Sequence, residues 1–196
     1  MELLKSATQM FIQTESTPNP ATLKFLPGRE VMGEASVADF PDADAAERSP
    51  LARALFVIGD VKRVFFGADF ISVTKSDASD WRHLKPAILG AIMEHFTRGL
   101  PLIEGGAEES DEESFSEADA EIVSQIKELI DTRVRPAVAN DGGDIIFKGF
   151  DGSSGVVSLH MRGSCAGCPS STLTLKNGIE NMLRHYIPEV TAVEAV

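Results

Sequence analysis

The stretch that decides how this chain folds is Gly163-Ser164-Cys165-Ala166-Gly167-Cys168-Pro169-Ser170-Ser171. It holds the only two cysteines of the chain, Cys165 and Cys168, with two residues between them. The run before it, residues 156–162, is rich in β-branched and apolar side chains and is typical of a strand. After it, a helix beginning near Pro169 is predicted from apolar residues at helical spacing, namely Leu175, Ile179, Met182, Leu183 and Tyr186. The cysteines therefore lie in a loop between a strand and a helix.

Two cysteines at this spacing supply half of a metal site. They can share one metal or form one disulfide, whereas a structural zinc or an iron-sulfur cluster held only by cysteine needs four ligands. Cys168 is predicted at the start of the helix, where unpaired backbone N–H groups and the helix dipole favour a thiolate. The small residues at 163, 164, 166 and 167 leave room for a bulky ligand. The count indicates either a redox dithiol or a site that two chains share.

Three interpretations of the dithiol stay open on these grounds. A thioredoxin-like redox pair normally follows the first strand of a βαβ unit, whereas these thiols follow a hairpin late in a small domain. A structural zinc between two chains satisfies the ligand count, but closed zinc sites usually draw their cysteines from one chain, and this loop reads as exposed. A 4Fe-4S cluster bridged between two chains uses the helix start, the small residues and the dimer together, and it is the favoured interpretation.

Composition and charge divide the chain into two parts. With 196 residues, of which 43% are hydrophobic, the chain is long enough for two small domains. Residues 104–116 hold six acidic and no basic residues, which is half of the net charge of −12, and they are rich in Gly and Ser. We predict an N-terminal extension at 1–9, a first domain at 10–103, an acidic linker at 104–116 that keeps the domains apart, and a C-terminal domain at 117–196.

The first domain is predicted to be a small sheet under two helices. Its strands are expected at residues 11–15, 22–26, 61–66 and 70–74, and a short helix begins after Ser49. A second helix follows Ser79 or Asp80, and Pro86 either kinks it or marks its true start. The domain has no cysteine, and His83 and His95 are expected to be surface or packing residues. Nothing in this half suggests enzyme chemistry.

The second domain is predicted to contain a helix, a hairpin and the helix after the cysteines. The first helix is capped by Ser116 and ends near Pro136. A glycine-rich turn at 140–144 leads into a strand at 145–150, and its two glycines are expected to be geometric. Binding of a hard cation by Asp141 and Asp144 is the weaker alternative. The fold class is therefore α+β, with two small α+β domains joined by an acidic flexible linker.

The sequence also excludes some partners and compartments. No apolar run approaches the roughly 18 residues that span a bilayer, and the N-terminus resembles neither a signal peptide nor a transit peptide. We find no basic patch of the kind that nucleic-acid binding needs. Two close cysteines in a protein that is not secreted indicate a reducing compartment, for which we predict the bacterial cytoplasm, with the mitochondrial matrix as the alternative. His160 and His185 are expected to be satisfied by water or backbone rather than to act as ligands.

Several of these motifs in combination resemble the two-domain Nfu/NifU-type iron-sulfur proteins. The C-terminal domain of that family is matched by Asp141-Gly142-Gly143-Asp144, by residues 163–171, by Leu173 and by Gly178-Ile179-Glu180. Its N-terminal domain is matched by Met10-Phe11-Ile12-Gln13-Thr14, Thr17-Pro18-Asn19-Pro20, Ser49-Pro50-Leu51-Ala52, Phe65-Phe66-Gly67, Asp69-Phe70 and Leu84-Lys85-Pro86. The match begins at Met10, which raises the possibility that Met10 is the natural start.

The resemblance implies a function for the two thiols. A homodimer would bind one 4Fe-4S cluster through Cys165 and Cys168 of both chains and pass it to an apoprotein. The cluster would come from an upstream assembly machinery, and the acceptors would be of the lipoate synthase or aconitase class. The N-terminal domain would help to choose among them. No catalytic residue is required, so the chain is expected not to be an enzyme.

Overall fold

The computed structural model describes residues 10–33, 36–105 and 113–196. The predicted extension at 1–9 and the middle of the predicted linker at 104–116 lie outside the described residues. The strands are β1 (Gln13–Ser16), β2 (Thr22–Leu26), β3 (Ala38–Phe40), β4 (Val61–Phe66), β5 (Ile71–Lys75), β6 (Gly143–Asp151), β7 (Val156–Gly163) and β8 (Ala192–Ala195). The helices are α1 (Pro50–Val57), α2 (Trp81–Arg98), α3 (Ala120–Leu129), α4 (Arg135–Asn140) and α5 (Pro169–Tyr186). The elements form two α+β units, which confirms the predicted fold class.

The N-terminal domain is a five-stranded antiparallel sheet with the strand order β1-β2-β5-β4-β3. Ser49 caps α1 as predicted, because its Oγ accepts a hydrogen bond of 3.1 Å from the Ala52 N–H. Asp80 caps α2 in the same way, through a 2.8 Å bond from the Arg82 N–H. Both helices pack against one face of the sheet, and the core between them contains Phe25, Val64, Phe66, Ile71, Val73, Leu51, Leu55, Ile88 and Ile92.

Two features of this domain differ from the prediction. β3 pairs with β4 at the edge of the sheet, and this strand was not predicted, because three residues are too few to carry an alternating pattern. Pro86 lies inside α2, and the helix begins five residues before it at Trp81, so the proline does not mark the helix start. A proline removes one helical hydrogen bond, and burial of Leu84 and Ile88 on the adjoining turns offsets that loss.

The C-terminal domain is a three-stranded sheet with the order β6-β7-β8. β6 and β7 form the predicted antiparallel hairpin. β8 pairs in parallel with β7 after the chain returns through α5, and this strand was not predicted. The core of the domain lies between the sheet and the helices, and its members include Val123, Ile126, Ile130, Val138, Ile145, Leu159, Ile179, Leu183 and Val193.

The prediction that the first helix of this domain ends near Pro136 is wrong. A π-helical turn at Ile130–Val134 joins α3 to α4, and the Arg135 N–H donates to the carbonyl oxygen of Ile130, five residues back. The wider turn changes the hydrogen-bond register just before Pro136, which has no N–H to donate. The helix therefore continues to Asn140 and delivers the chain to the turn that precedes β6.

The second face of the N-terminal sheet is buried as well. Lys24, Ser72 and Phe65 are cross-strand neighbours on this face, because Ser72 pairs with both of the others. Among the described residues they lie outside the core that α1 and α2 form with the sheet, yet Lys24 is 6%, Ser72 2% and Phe65 1% exposed. We call these three residues the docking face, since the C-terminal domain covers them.

Hydrogen bonds join the docking face and its surroundings to the C-terminal domain. The Ser72 hydroxyl donates to the Gly142 carbonyl oxygen at 2.6 Å, and Lys24 Nζ donates to the Asn140 carbonyl oxygen at 3.3 Å. Asn19 Nδ2 donates to the carbonyl oxygen of Ser164, also at 3.3 Å. The prediction that the linker keeps the two domains apart is therefore wrong.

The described ends of the predicted linker are each held by a domain. The Glu104 N–H donates to the Arg48 carbonyl oxygen at 2.7 Å, and the Ser114 N–H donates to the Lys148 carbonyl oxygen at 2.7 Å. In the part of the chain that the structure describes, none of the helices combines the length and the apolarity that a membrane span requires. The domain boundaries at 103 and 117 stay predictions.

His95 is a packing residue, as expected, but its buried polar atoms are not satisfied. It is 4% exposed on α2, and neither ring nitrogen has a hydrogen-bond partner among the described residues. Burial lowers the pKa of His95 below its ordinary value of 6.5, because the charged ring loses its hydration. The unfolded chain therefore binds the proton more readily than the folded one, and stability is lost as the pH falls through about 6.5.

We expect His95→Leu to raise the free energy of unfolding by about 1 kcal/mol near pH 7.5, because it removes two unpaired nitrogens. The gain should be larger near pH 5.5, where the wild type has lost stability and the variant has not. Urea unfolding followed by the fluorescence of Trp81, the only tryptophan, measures both values. His83→Leu on the exposed side of α2 is the control and should keep the wild-type pH dependence. An equal gain in the free energy of unfolding at both pH values would contradict the lowered pKa of His95.

Candidate metal centre

The cysteine loop lies where the sequence predicts it, between β7 and α5. Cys168 is the N-cap residue of α5, and Pro169 occupies the first turn. The Thr172 N–H donates to the Cys168 carbonyl oxygen at 2.9 Å, and the Thr172 hydroxyl donates to the Cys165 carbonyl oxygen at 2.9 Å. The first turn of the helix therefore fixes the backbone at both cysteines.

Two facing glycines allow the loop to approach the start of β6. Gly143 pairs with Gly163 at the end of the hairpin. A Cβ on Gly143 would lie 2.7 Å from Cys165 Sγ, and a Cβ on Gly163 would lie 2.7 Å from the Gly142 carbonyl oxygen. Gly163 also has a φ of +63°, in the left-handed region that favours glycine. The interpretation of the turn glycines as geometric is confirmed for Gly143, where a side chain would displace the thiol.

The two thiols lie in different environments. Cys165 is 6% exposed and packs with the core of its domain, whereas Cys168 is only partly buried. Burial raises the pKa of the Cys165 thiol to about 11, the Ser164 hydroxyl opposes the shift, and the negative charges of Asp141 and Asp144 add to it. The expectation of an exposed loop is therefore wrong for Cys165. Because metals bind the thiolate, Cys165 would have to lose a proton to act as a metal ligand.

The acidic residues beside the loop have a structural role. Arg135 donates two hydrogen bonds to Asp144, from Nε to Oδ1 at 2.8 Å and from Nη2 to Oδ2 at 2.9 Å. This contact raises the pKa of Arg135. Both oxygens of Asp144 are thus occupied, which argues against the alternative that Asp141 and Asp144 bind a hard cation. Across residues 10–33, 36–105 and 113–196, no three His, Cys, Asp or Glu side chains are grouped to hold a metal.

The two histidines of this domain have other contacts. His160 Nδ1 is 2.7 Å from the carbonyl oxygen of Val196, within hydrogen-bond distance. His185 lies edge-on against the ring of Tyr186, with the ring centroids 5.0 Å apart. Both contacts agree with the interpretation that neither residue is a ligand.

The N-terminal domain contributes residues that the sequence interpretation missed. A cavity of about 400 Å³ lies beside Cys165, and its walls are formed by Pro18, Asn19, Asp141, Ser164, Cys165, Thr174 and Leu175. Asn19 is buried, its Oδ1 accepts from the Ala21 N–H at 3.0 Å, and its Nδ2 holds the Ser164 carbonyl. The segment Thr17-Pro18-Asn19-Pro20 was named above only as a motif of the family resemblance, and no role at the thiols was predicted for it. Its presence among the resemblance motifs was the signal for a further role.

Fold and site together define a class: a two-domain α+β protein with a single dithiol centre at a strand-to-helix junction. Residues 12–99 match the family model described as scaffold protein Nfu/NifU N terminal, and residues 126–194 match the model of the NifU-like domain. The chain belongs to this Nfu/NifU family, in the form that carries both domains, which confirms the resemblance seen in the sequence. The first of these models is described as that of a scaffold protein, which confirms the expectation that the chain is not an enzyme.

Individual relatives extend the match over nearly the whole chain. The "NFU1 iron-sulfur cluster scaffold homolog, mitochondrial" of Drosophila ananassae is 51% identical over 98% of this chain and 66% of its own length. The "NifU-like protein 4, mitochondrial" of Arabidopsis thaliana is 54% identical over 94% of this chain and 65% of its own length. A solution NMR structure of a NifU-like protein from Saccharomyces cerevisiae is 26% identical, with a TM-score of 0.44, over 53% of this chain and 92% of that one. The chain thus spans about 65% of the length of the relatives named first.

We expect iodoacetamide to modify Cys168 at least about tenfold faster than Cys165 in the native protein near pH 8. Cys165 is buried, and with a pKa of about 11 only about one thiol in a thousand is a thiolate at that pH. Fragment-ion mass spectrometry of the peptide that carries both cysteines measures each rate. In urea the two rates should become similar, which is the control for intrinsic reactivity. Equal rates in the native protein would contradict the unequal environments.

Proposed function

We propose that this chain carries a 4Fe-4S cluster as cargo. Two chains bridge the cluster through Cys165 and Cys168 of each, and they deliver it to apoproteins that mature into iron-sulfur proteins. The observation that carries the proposal is the pair of thiols at the start of α5 in a NifU-like domain, a donor set that is half of what a cluster needs. The relatives that match this chain bear the name of iron-sulfur cluster scaffolds, which supports the same conclusion.

The surroundings of the thiols suit a cluster. Thiolate is the usual protein ligand of 4Fe-4S clusters, and backbone N–H groups at a helix start can donate to cluster sulfur. Cys168 stands at that position as the N-cap of α5. Leu173, in the first turns of the same helix, is 57% exposed and offers an apolar contact to a second chain. Dimerisation around α5 would supply the missing two thiolates.

Delivery is a ligand exchange that involves no net transfer of electrons. A thiol of the acceptor loses its proton, and its sulfur forms a bond to iron while the bond from iron to a carrier thiolate breaks. The proton goes to the released carrier thiolate. Repeated for Cys165 and Cys168 of both chains, the exchange moves the whole cluster, and no general acid or nucleophile in a catalytic sense is needed.

The two alternative interpretations of the dithiol fit the geometry less well. A thioredoxin-like pair normally follows the first strand of a βαβ unit, whereas these thiols follow the antiparallel hairpin of β6 and β7. A closed structural zinc site usually has four ligands from one chain, and the described residues place only two thiols together. Metal analysis distinguishes all three: iron with sulfide supports the carrier, zinc without sulfide supports the structural site, and a disulfide without metal supports the redox pair.

Partners and compartment follow from the same chemistry. We propose apoproteins of the lipoate synthase or aconitase class as acceptors and a cluster assembly machinery as the source. A reducing compartment keeps both thiols free, and the bacterial cytoplasm and the mitochondrial matrix both meet that need. The prediction of the bacterial cytoplasm, with the matrix as the alternative, stays a prediction, and the relatives named above are mitochondrial proteins.

Anaerobic reconstitution with iron and sulfide should give about four irons and four sulfides per two chains, with a dimer by analytical ultracentrifugation. Cys165→Ala and Cys168→Ala should each lose most of the iron, because the dimer then offers only two thiolates. Ala166→Ser, which alters the same loop and keeps both thiols, is the matched control and should load normally. If Cys165→Ala holds the same cluster with the same iron content, the proposed ligand set is wrong.

The loaded protein should activate apo-aconitase in the presence of an iron chelator, because the cluster passes from thiolate to thiolate without free iron. The double variant Cys165→Ala with Cys168→Ala, mixed with equal iron and sulfide, is the control and should give little activity once the chelator is present. Activation that the chelator abolishes would indicate release of iron into solution and would contradict delivery.

A further inference from the structure

We propose that the N-terminal domain is a gate on the thiol centre: it covers the cysteine loop in the empty chain and leaves when a second chain completes the site. The gate uses the docking face of Lys24, Phe65 and Ser72 together with the turn at Asn19. The inference rests on the proposed function, because it concerns a site that two chains share.

The contacts between the domains fall on the cysteine loop itself. The Asn19 side chain holds the carbonyl of Ser164, the residue that directly precedes Cys165. The Gly142 carbonyl oxygen accepts two hydrogen bonds, one from the Ser72 hydroxyl at 2.6 Å and one from the Ser164 N–H at 3.2 Å. The same backbone oxygen thus joins the docked domain to the loop that carries the thiols, so docking and loop geometry are coupled.

The position of the turn at Asn19 conflicts with a site shared by two chains. Pro18 and Asn19 form the wall of the cavity beside Cys165 that the N-terminal domain provides. This domain contains no cysteine, so a cluster in the cavity would find no thiolate on that wall. The cysteine loop of the second chain has to bring its two thiolates close enough to Cys165 for all of them to bind the same cluster. We infer that the second chain takes the place of the turn at Asn19.

The contacts between the two domains are of a kind that can break while each domain stays folded. Hydrogen bonds to backbone carbonyls from Asn19, Lys24 and Ser72 are among the described contacts that join the domains. Phe65 also packs against Gly163, since a Cβ on Gly163 would lie 3.0 Å from a ring carbon of Phe65. Interfaces between domains of one chain resemble transient protein complexes, which form and dissociate without unfolding. The apparent affinity for the second chain is then the intrinsic affinity multiplied by the fraction of molecules in which the gate is open.

The test uses the full chain and a variant that opens the gate without touching either thiol. Ser72→Glu places a carboxylate against the Gly142 carbonyl oxygen, while on the open domain it lies beside its cross-strand neighbour Lys24 and pairs with it. Gln13→Glu adds the same charge to an exposed position of β1 in the same sheet and is the matched control. Trp81 fluorescence shows that each variant is folded.

Two measurements are made on all three proteins, with and without iron and sulfide. Carbene footprinting of Phe65 reports the state of the gate, and the iron content with time reports cluster uptake. In the empty wild type and in Gln13→Glu, Phe65 should be protected. In Ser72→Glu its labelling should rise, and uptake should be at least about fivefold faster, since loss of one buried hydrogen bond alone changes an equilibrium by about that factor. In the loaded wild-type dimer, Phe65 should become as reactive as in Ser72→Glu.

The wild-type footprint tests the gate without any variant. If the loaded dimer keeps Phe65 protected while holding four irons, the gate is overturned and the carrier function stands. Uptake by Ser72→Glu at the wild-type rate, with Phe65 labelled, would also overturn it, because opening would then have no effect on the site. If none of the three proteins takes up a cluster, both the gate and the proposed function fail.

Discussion

The whole arrangement depends on the close contact between the start of β6 and the end of β7, where Gly143 faces Gly163. Because neither residue has a side chain, the sulfur of Cys165 lies against the backbone of the neighbouring strand. The same closeness brings the Gly142 carbonyl oxygen within reach of the Ser164 N–H and of Ser72 in the other domain. One backbone contact thus positions a thiol, shapes the loop that holds it and provides the surface on which the domains meet.

That contact also makes the two cysteines unequal. Cys165 is drawn into the core, where burial favours the neutral thiol, while Cys168 stays at the accessible start of α5. If the two thiols bind a cluster as proposed, a ligand that arrives from solution would meet Cys168 first, and Cys165 would join after the loop rearranges. This order of binding would follow from packing, although the two residues are only three positions apart in the sequence.

The sequence predicted the elements with strong local patterns and the thiols they carry. The hairpin of β6 and β7 and the helix α5 are long enough for clear periodicity, so the place of Cys165 and Cys168 could be read directly. β3 is too short for a pattern, and Pro136 is tolerated because a π turn precedes it. The docking face was missed because Lys24 and Ser72 alternate with apolar residues as they would on a solvent-facing sheet. Only the tertiary structure shows that another domain covers them.

The buried polar groups around the thiols have partners within the protein, and this bears on how the proposed cargo could leave. Buried polar groups that would otherwise need a metal already have partners: Asp144 is held by Arg135, Asn19 by the Ser164 carbonyl and the Ala21 N–H, and Cys165 is neutral in an apolar setting. A zinc finger, by contrast, unfolds when its metal leaves, so its fold holds the metal in place. Here loss of the cluster would leave no uncompensated charge in the interior. If the chain carries a cluster as proposed, its free energy of folding would not be tied to the cargo, and release would need only a competing set of thiols.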